Sequence, residues 1–185
     1  MDHQRQKILK KLRNPELFSR INANLKKELM RRLPALFPSY LQKKVLCLGA
    51  RGGGEVQAFL ELGAFAVGVD LNPGPSNHYV VTGDFHALQF ANKSVDIMYC
   101  NCMDHVFNID KVINEIRRVL LRPGFLILDV VNGSDQRREL GYYESFWWST
   151  ISDLLKVYAD NGFVIEKRLP IEVPFAGECV LLKLE

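Results

Sequence analysis

The chain has 185 residues, enough for one domain built around a single core. Hydrophobic residues make up 48% and charged residues 24%, which excludes a disordered chain. No apolar run approaches the ~20 residues that cross a bilayer, and MDHQRQKILKKLRNPELF has no apolar stretch of signal-peptide length, so a cytoplasmic protein without a membrane span is expected. The four cysteines, Cys47, Cys100, Cys102 and Cys179, form no CxxC pair and match no zinc or disulfide spacing. They read as small core hydrophobes in a reducing compartment, and no metal is expected.

The formal net charge of +3 is unevenly spread. Residues 1–44 carry a balance of +9, and residues 45–185 one of −6. A basic arm before an acidic body suggests either an anionic partner or docking of the arm on its own body, and docking is the simpler expectation. The expected division is an N-terminal basic helical segment over 1–40 and a folded domain over 41–185.

In chain order, the spacing of Phe18, Ile21, Leu25 and Leu29 predicts a helix over 15–33, ended by Pro34 and Pro38. VLCLG (45–49) is a continuous apolar run, as in a strand buried on both faces. After the glycine-rich ARGGG, EVQAFLELG (55–63) predicts a helix with Val56, Phe59 and Leu60 inward and Gly63 as its stop. FAVGVD (65–70), HYVVTGD (78–84) and SVDIMYCN (94–101) read as strands two to four, with a loop at Asn72-Pro73-Gly74-Pro75. Residues 110–121 predict a helix, and Arg122-Pro123-Gly124 turns the chain into strand FLILDVV (125–131). A last helix is expected over 145–161, with Trp148, Ile151, Leu155 and Tyr158 on one side. FVIEKRL (163–169) and ECVLLKL (178–184) follow as strands with no helix between them, so one must run antiparallel. Alternating strands and helices imply an α/β fold with a mostly parallel sheet covered on both faces.

In such sheets ligands bind beyond the C-terminal ends of the strands. Those ends carry Gly49-Ala50-Arg51-Gly52-Gly53-Gly54, then Asp70, then Gly83-Asp84-Phe85, then Asn101-Cys102-Met103-Asp104-His105. Glycines allow close approach of a ligand to the backbone, and a carboxylate at position 70 can accept both hydrogen bonds of a ribose diol. Each feature has a plainer reading. The glycines can serve strand–helix packing, Asp70 can form a turn, and Asp84 can cap a helix starting at Phe85. His86 and His105 are the histidines nearest these ends; His105 is the weak candidate for a catalytic base, and no other catalytic residue is identified. Tyr142 and Tyr143 fall in the loop after the fifth strand.

Five segments in this order, VLCLGARGGG, VGVD, GDFHALQF, SVDIMYCNCMDHV and INEIRRVLLRPGFLIL, resemble the class I S-adenosylmethionine-dependent methyltransferases, closest to the type 11 methyltransferase-domain group. The resemblance implies a Rossmann-like methyltransferase fold, a seven-stranded sheet closing in a C-terminal antiparallel hairpin. It implies S-adenosylmethionine as cofactor. Gly49, Ala50, Arg51 and Gly53 would hold its methionine part, and Asp70 its ribose. Leu71, Asp84 and Phe85 would surround its adenine, and Asn101 would line the methionine side. The sequence departs from the family pattern at three places. Cys47 stands where the family usually has an acid, Arg51 replaces the middle glycine of GxGxG, and the PGG turn reads Pro123-Gly124-Phe125.

The implied activity is methyl transfer by in-line displacement to an unidentified acceptor, expected to be a small molecule. The basic arm leaves a phosphorylated or nucleic-acid acceptor open, with no recognition motif behind it. Two rivals stand beside this reading: a non-catalytic binding module that keeps the fold, and a nicotinamide-dependent oxidoreductase, whose GxGxxG fingerprint Arg51 breaks. The lid over the site is expected from residues 1–40, from the 132–145 loop or from a partner subunit.

Overall fold

The computed structural model describes residues 15–74, 77–132, 146–173 and 176–185. Helix α1 (Pro15–Leu36) leads into β1 (Lys44–Leu48), α2 (Gly54–Glu61), β2 (Phe65–Asp70), β3 (Val80–Thr82) and β4 (Val95–Cys100). A single 3-10 turn (Met103–His105), α3 (Ile109–Val119), β5 (Leu120–Val131), α4 (Ile151–Ala159), β6 (Phe163–Ile171) and β7 (Gly177–Leu184) complete the order. The strands form one sheet, β3-β2-β1-β4-β5-β7-β6. β1 pairs in parallel with β2 and β4, as do β2 with β3 and β4 with β5, while β7 runs antiparallel to β5 and β6. The expected mostly parallel sheet with an antiparallel C-terminal hairpin is the sheet that forms. Chain order runs outward from β1 to β3 and then returns to β4 on the other side of β1. The crevice above β1 and β4 is therefore the topological switch point, where such sheets bind ligands.

The two faces of the sheet follow from strand alternation. Leu46, Leu48, Met98, Leu126 and Leu128 pack under α3 and α4, and Val45, Cys47, Ile97, Tyr99 and Ile127 under α1 and α2. Strand residues are apolar on both sides because helices cover both sides. Arg122-Pro123-Gly124 proves to be a bulge within β5 and not a turn before it. Leu120 pairs with Val95 but Phe125 with Ile97, so the intervening residues are looped out of register.

α1 continues through Pro34, where the sequence suggested a stop. Proline removes one donor, but this one lies near the helix end, and the last carbonyls find other donors. Leu33 O accepts from Phe37 N–H at 3.1 Å and from the Tyr40 hydroxyl at 3.0 Å, and Ala35 O from the Lys167 ammonium at 2.6 Å. The buried stripe is Leu29, Arg32, Leu33 and Leu36. Of the expected stripe, only Leu29 is fully buried; Phe18 and Leu25 are half-buried and Ile21 is exposed. Periodicity locates an apolar face without locating the surface that meets it. A similar correction holds for α2, whose buried face is Glu55, Val56, Ala58 and Phe59, with Leu60 outside.

The last helix is shorter than 145–161. It starts at Ile151 behind a capping box, in which Thr150 Oγ1 accepts from Asp153 N–H and the Asp153 carboxylate accepts from Thr150 N–H. Trp148 precedes the helix and is buried all the same, its Nε1–H donating to Val131 O at 3.1 Å. Tyr142, Tyr143 and most of the 132–145 loop lie outside the described residues, as do residues 1–14. Among the described residues, no helix is long and apolar enough to cross a membrane.

One polar interaction ties α1 to the sheet. Arg32 forms an ion pair with Asp129 of β5, both 4% exposed, and the Tyr99 hydroxyl of β4 donates to the same carboxylate at 2.8 Å. Burial pushes the Asp129 carboxyl up, with Arg32 pulling the other way. Removing one partner of a buried pair strands the other charge. Arg32→Met is expected to lower the unfolding free energy by about 3–5 kcal/mol. Adding Asp129→Asn, which still accepts from Tyr99, should recover most of the loss. Urea denaturation of both variants checks this.

Candidate functional site

The parallel register brings Leu48 level with Val69 of β2 and Cys100 of β4, so the segments leaving these strands emerge side by side. Gly49 leaves β1 at φ +67°, and its N–H and that of Ala50 both donate to Val69 O, at 2.8 and 3.1 Å. The turn closes with Gly53 N–H on Ala50 O at 2.7 Å, and α2 begins. Glycine is required on both flanks of the loop. A Cβ on Gly49 would lie 2.3 Å from Cys102 Sγ, and one on Gly52 would lie 2.1 Å from the side chain of Asn22 in α1. The loop is thus held between the exit of β4 and the N-terminal helix. Arg51 sits in it at φ +34°, and its guanidinium has no ion-pair partner among the described residues. The Gly52 N–H likewise makes no hydrogen bond among them.

Asp70 ends β2 at 8% exposure. Its Oδ2 accepts from Arg51 N–H at 3.1 Å and its Oδ1 from Asn72 N–H at 2.8 Å. Asn77 adds a second fastening, donating to Arg51 O at 2.8 Å and to Pro73 O at 3.0 Å. Leu71, next to Asp70, is 43% exposed. Asp70 therefore does form the turn, as its plainer reading held. Each of its oxygens still has acceptor capacity left.

After β3, no helix begins at Phe85, so Asp84 is not a helix cap. The chain instead makes a tight turn closed by Asp84 and Ala87. Asp84 Oδ1 accepts from His86 N–H at 2.8 Å and meets His86 Nδ1 at 2.7 Å. His86 Nε2 accepts from Phe107 and Asn108 N–H groups at 3.2 and 3.4 Å. Both ring nitrogens are engaged in local structure. Phe85 stacks on His86 at a centroid distance of 4.9 Å and reaches toward Gly49. Arg118 of α3 clamps the following loop through Leu88 O and Phe90 O, each at 2.8 Å.

After β4, Asn101 is half-buried and Cys102 lies against Gly49. His105 stands in the 3-10 turn, its Nε2 at 3.8 Å from Asp104 Oδ2. Asp104 O accepts from Phe146 N–H at 3.1 Å, which brings the segment before α4 to this corner. A recess of about 240 Å³ opens there, lined by Phe146, Trp147, Trp148, Ser149, Asp153, Leu154 and Val157.

One residue the sequence reading did not single out belongs to this assembly. Glu55, in the first turn of α2, is 3% exposed. Burial pushes its carboxyl up to about 7, with its own N–H and Arg51 pulling it down and Asp70 and Asp129 pushing it further up. The signal was present: Glu55 is four residues before Phe59, so an acid occupies the apolar face of the helix. An acid near a helix N-terminus is ordinarily favoured there, which hides the oddity.

Comparison with known proteins agrees with this architecture. A family model described as a methyltransferase domain, of type 11, matches residues 46–128. No curated protein matches the chain. Similar solved structures include a chain of the complex between the Haloferax volcanii Trm112 methyltransferase activator and a methyltransferase, with 14% identity, TM-score 0.71, and 92% of this chain and 94% of that one covered. A SAM-dependent methyltransferase from Aquifex aeolicus shows 13% identity and TM-score 0.68 over 97% and 98% of the two chains. The PH0226 protein of Pyrococcus horikoshii shows 20% identity and TM-score 0.64 over 92% of each. The fold is that of the class I S-adenosylmethionine-dependent methyltransferases. The type 11 family model spans β1 to β5 of that fold.

The Glu55 carboxyl, near 7 against an ordinary 4.5, has a consequence for stability. Between those values the folded chain keeps a proton that the unfolded chain has lost. This group's contribution to stability therefore falls as pH rises from about 4.5 to about 7 and is flat above. The fall is on the order of 3 kcal/mol. In Glu55→Gln the difference in unfolding free energy between pH 5 and pH 8 is expected to shrink by roughly that amount, as urea melts at the two pH values will measure.

Proposed function

We propose that the chain binds S-adenosylmethionine across the C-terminal ends of β1, β2 and β4 and transfers its methyl group to a small-molecule acceptor. The observation that carries the reading is Asp70. It is a nearly buried carboxylate that uses one backbone N–H on each oxygen and keeps capacity on both. That capacity suits the two neighbouring hydroxyls of a ribose.

The other residues fit the rest of the cofactor. Exposed Leu71 and half-buried Phe85 offer apolar surface to an adenine ring. Asp84 keeps a second oxygen for the ring's amino group, since its hydrogen bonds all fall on Oδ1. Gly49, Ala50 and Gly53 set the course of the loop, where the unengaged Gly52 N–H and the Arg51 guanidinium can take a carboxylate. Asn101 borders the same end.

When bound, S-adenosylmethionine supplies a methyl group on a positively charged sulfur, which an acceptor's lone pair displaces in line as a neutral thioether leaves. The work left to the chain is alignment and exclusion of water, which need no catalytic triad. His105 stands beside the corner where an acceptor would enter and is the candidate to take its proton. The recess beside Asp104 supports an acceptor of small size. The basic helix α1, whose Asn22 packs on the loop, supplies one wall.

Two variants test the reading by calorimetry with S-adenosylhomocysteine. Asp70→Ala should weaken binding about 10–100-fold with the fold intact; unchanged affinity would remove the ribose assignment. Arg51→Gly should weaken it roughly tenfold or more if the guanidinium grips the cofactor carboxylate. Tighter binding by the glycine variant would mark the side chain as an obstruction and favour the non-catalytic module. Titration with NAD is expected to give no heat.

A further inference from the structure

Among the described residues, Glu55 is the most deeply buried acid and has no cation paired with it. Its carboxyl lies on the inner face of α2, and no lysine or arginine comes within ion-pair distance of it among the described residues. The groups whose charge it feels come from the loop, β2 and β5. Arg51 stands in the loop, Asp70 at the end of β2 and Asp129 in β5. Glu55 in turn presses on Cys47 of β1 and Tyr99 of β4, raising both. Arg32, the one buried guanidinium among the described residues, is already paired with Asp129. Negative charge is therefore in surplus directly behind the glycine loop. A carboxylate held this way is costly unless something positive joins it.

We propose that Glu55 receives the α-ammonium of the cofactor's amino-acid end. The inference rests on the cofactor reading above. An α-amino acid carries an ammonium and a carboxylate on one carbon, so its site needs an acid beside a cation or free N–H donors. Residues 51–55 bring such a pair into one loop and helix turn: the Arg51 guanidinium and the Gly52 N–H, and the Glu55 carboxyl that feels the Arg51 charge. The sulfonium is the weaker candidate for Glu55, because it is present only in S-adenosylmethionine and the charge pairing described here needs no sulfonium. With the ammonium in place, Glu55 is ionised. Binding near neutral pH then releases the proton that the free protein holds.

The experiment compares the parent with Glu55→Gln, using S-adenosylhomocysteine and 5′-methylthioadenosine. The second ligand keeps the nucleoside and thioether but lacks the amino-acid end. Glu55→Gln should weaken S-adenosylhomocysteine about 10–100-fold and leave 5′-methylthioadenosine unchanged. Calorimetry at pH 7 in buffers of different ionisation enthalpy should find roughly half a proton released per S-adenosylhomocysteine bound to the parent, given a carboxyl near 7. The variant should release none. Equal weakening of both ligands, or none of either, overturns the assignment of Glu55 and leaves cofactor binding standing. A parent that binds neither ligand overturns the cofactor reading itself. Because the substitution removes a buried titrating group, the variant is expected to fold at least as stably at neutral pH, and its melting temperature verifies that.

Discussion

A guanidinium can neutralise one buried carboxylate at close range, and Arg32 is held by Asp129. This pairing draws α1 down onto the sheet against the solvation of its own lysines and arginines. Leu29, Leu33 and Leu36 add apolar burial on the same side, each worth roughly 1.5–3 kcal/mol before entropy is subtracted. The ion pair decides which face of α1 meets the body, since Arg32 must lie over β5. With that face set, Asn22 falls on Gly52, and the helix that reads as a basic arm becomes part of the loop's enclosure. The same commitment leaves Glu55 without a buried counter-charge.

The glycine loop shows why a motif has two explanations at once. Gly49 is forced by a positive φ and by the Cys102 thiol, and Gly52 by Asn22. Both demands come from the protein's own packing. They also keep side chains away from the backbone at the switch point, so packing and ligand access are met by the same residues. Asp70 works the same way. It fastens the loop through Arg51 and Asn72 and still has acceptor capacity on each oxygen. A residue in such a position can form a turn and still serve the ribose contact proposed for it.

The two departures in the first loop, Cys47 and Arg51, are related through Glu55. Cys47 presents a small, buried thiol toward α2. Burial raises it well above its ordinary range, and Glu55 adds to the rise. The neighbourhood of Cys47 therefore still contains a carboxyl, delivered from the helix and not from the strand. Arg51 is the cation that pulls the Glu55 carboxyl down. The loop and the first turn of α2 form one electrostatic unit, whose parts are four residues apart in the chain.

Where the order of strands and helices is concerned, the sequence by itself was sufficient. A continuous apolar run such as VLCL, too short for a helix, reads as a strand buried on both faces, and two adjacent strands without an intervening helix read as an antiparallel hairpin. The ends of those strands also named the residues that gather at the switch point, because a parallel sheet places all its C-terminal ends on one edge. What the sequence left undetermined depended on surfaces it could not describe. It placed the end of α1 at a proline, whereas the donors of Phe37, Tyr40 and Lys167 allow the helix to run on. It read Asp84 as a possible helix cap and Trp148 as helical, where the chain makes a turn to His86 and a separate capping box at Thr150. It gave no reason to join Arg32 to Asp129, 97 residues apart, and the helix N-terminus disguised the inward-facing Glu55 as an ordinary first-turn acid. Local pattern records how a segment can bury its own apolar side. Which charges share one dry space is decided only when the elements pack, because the cost of burying a charge depends on every neighbour that packing brings near.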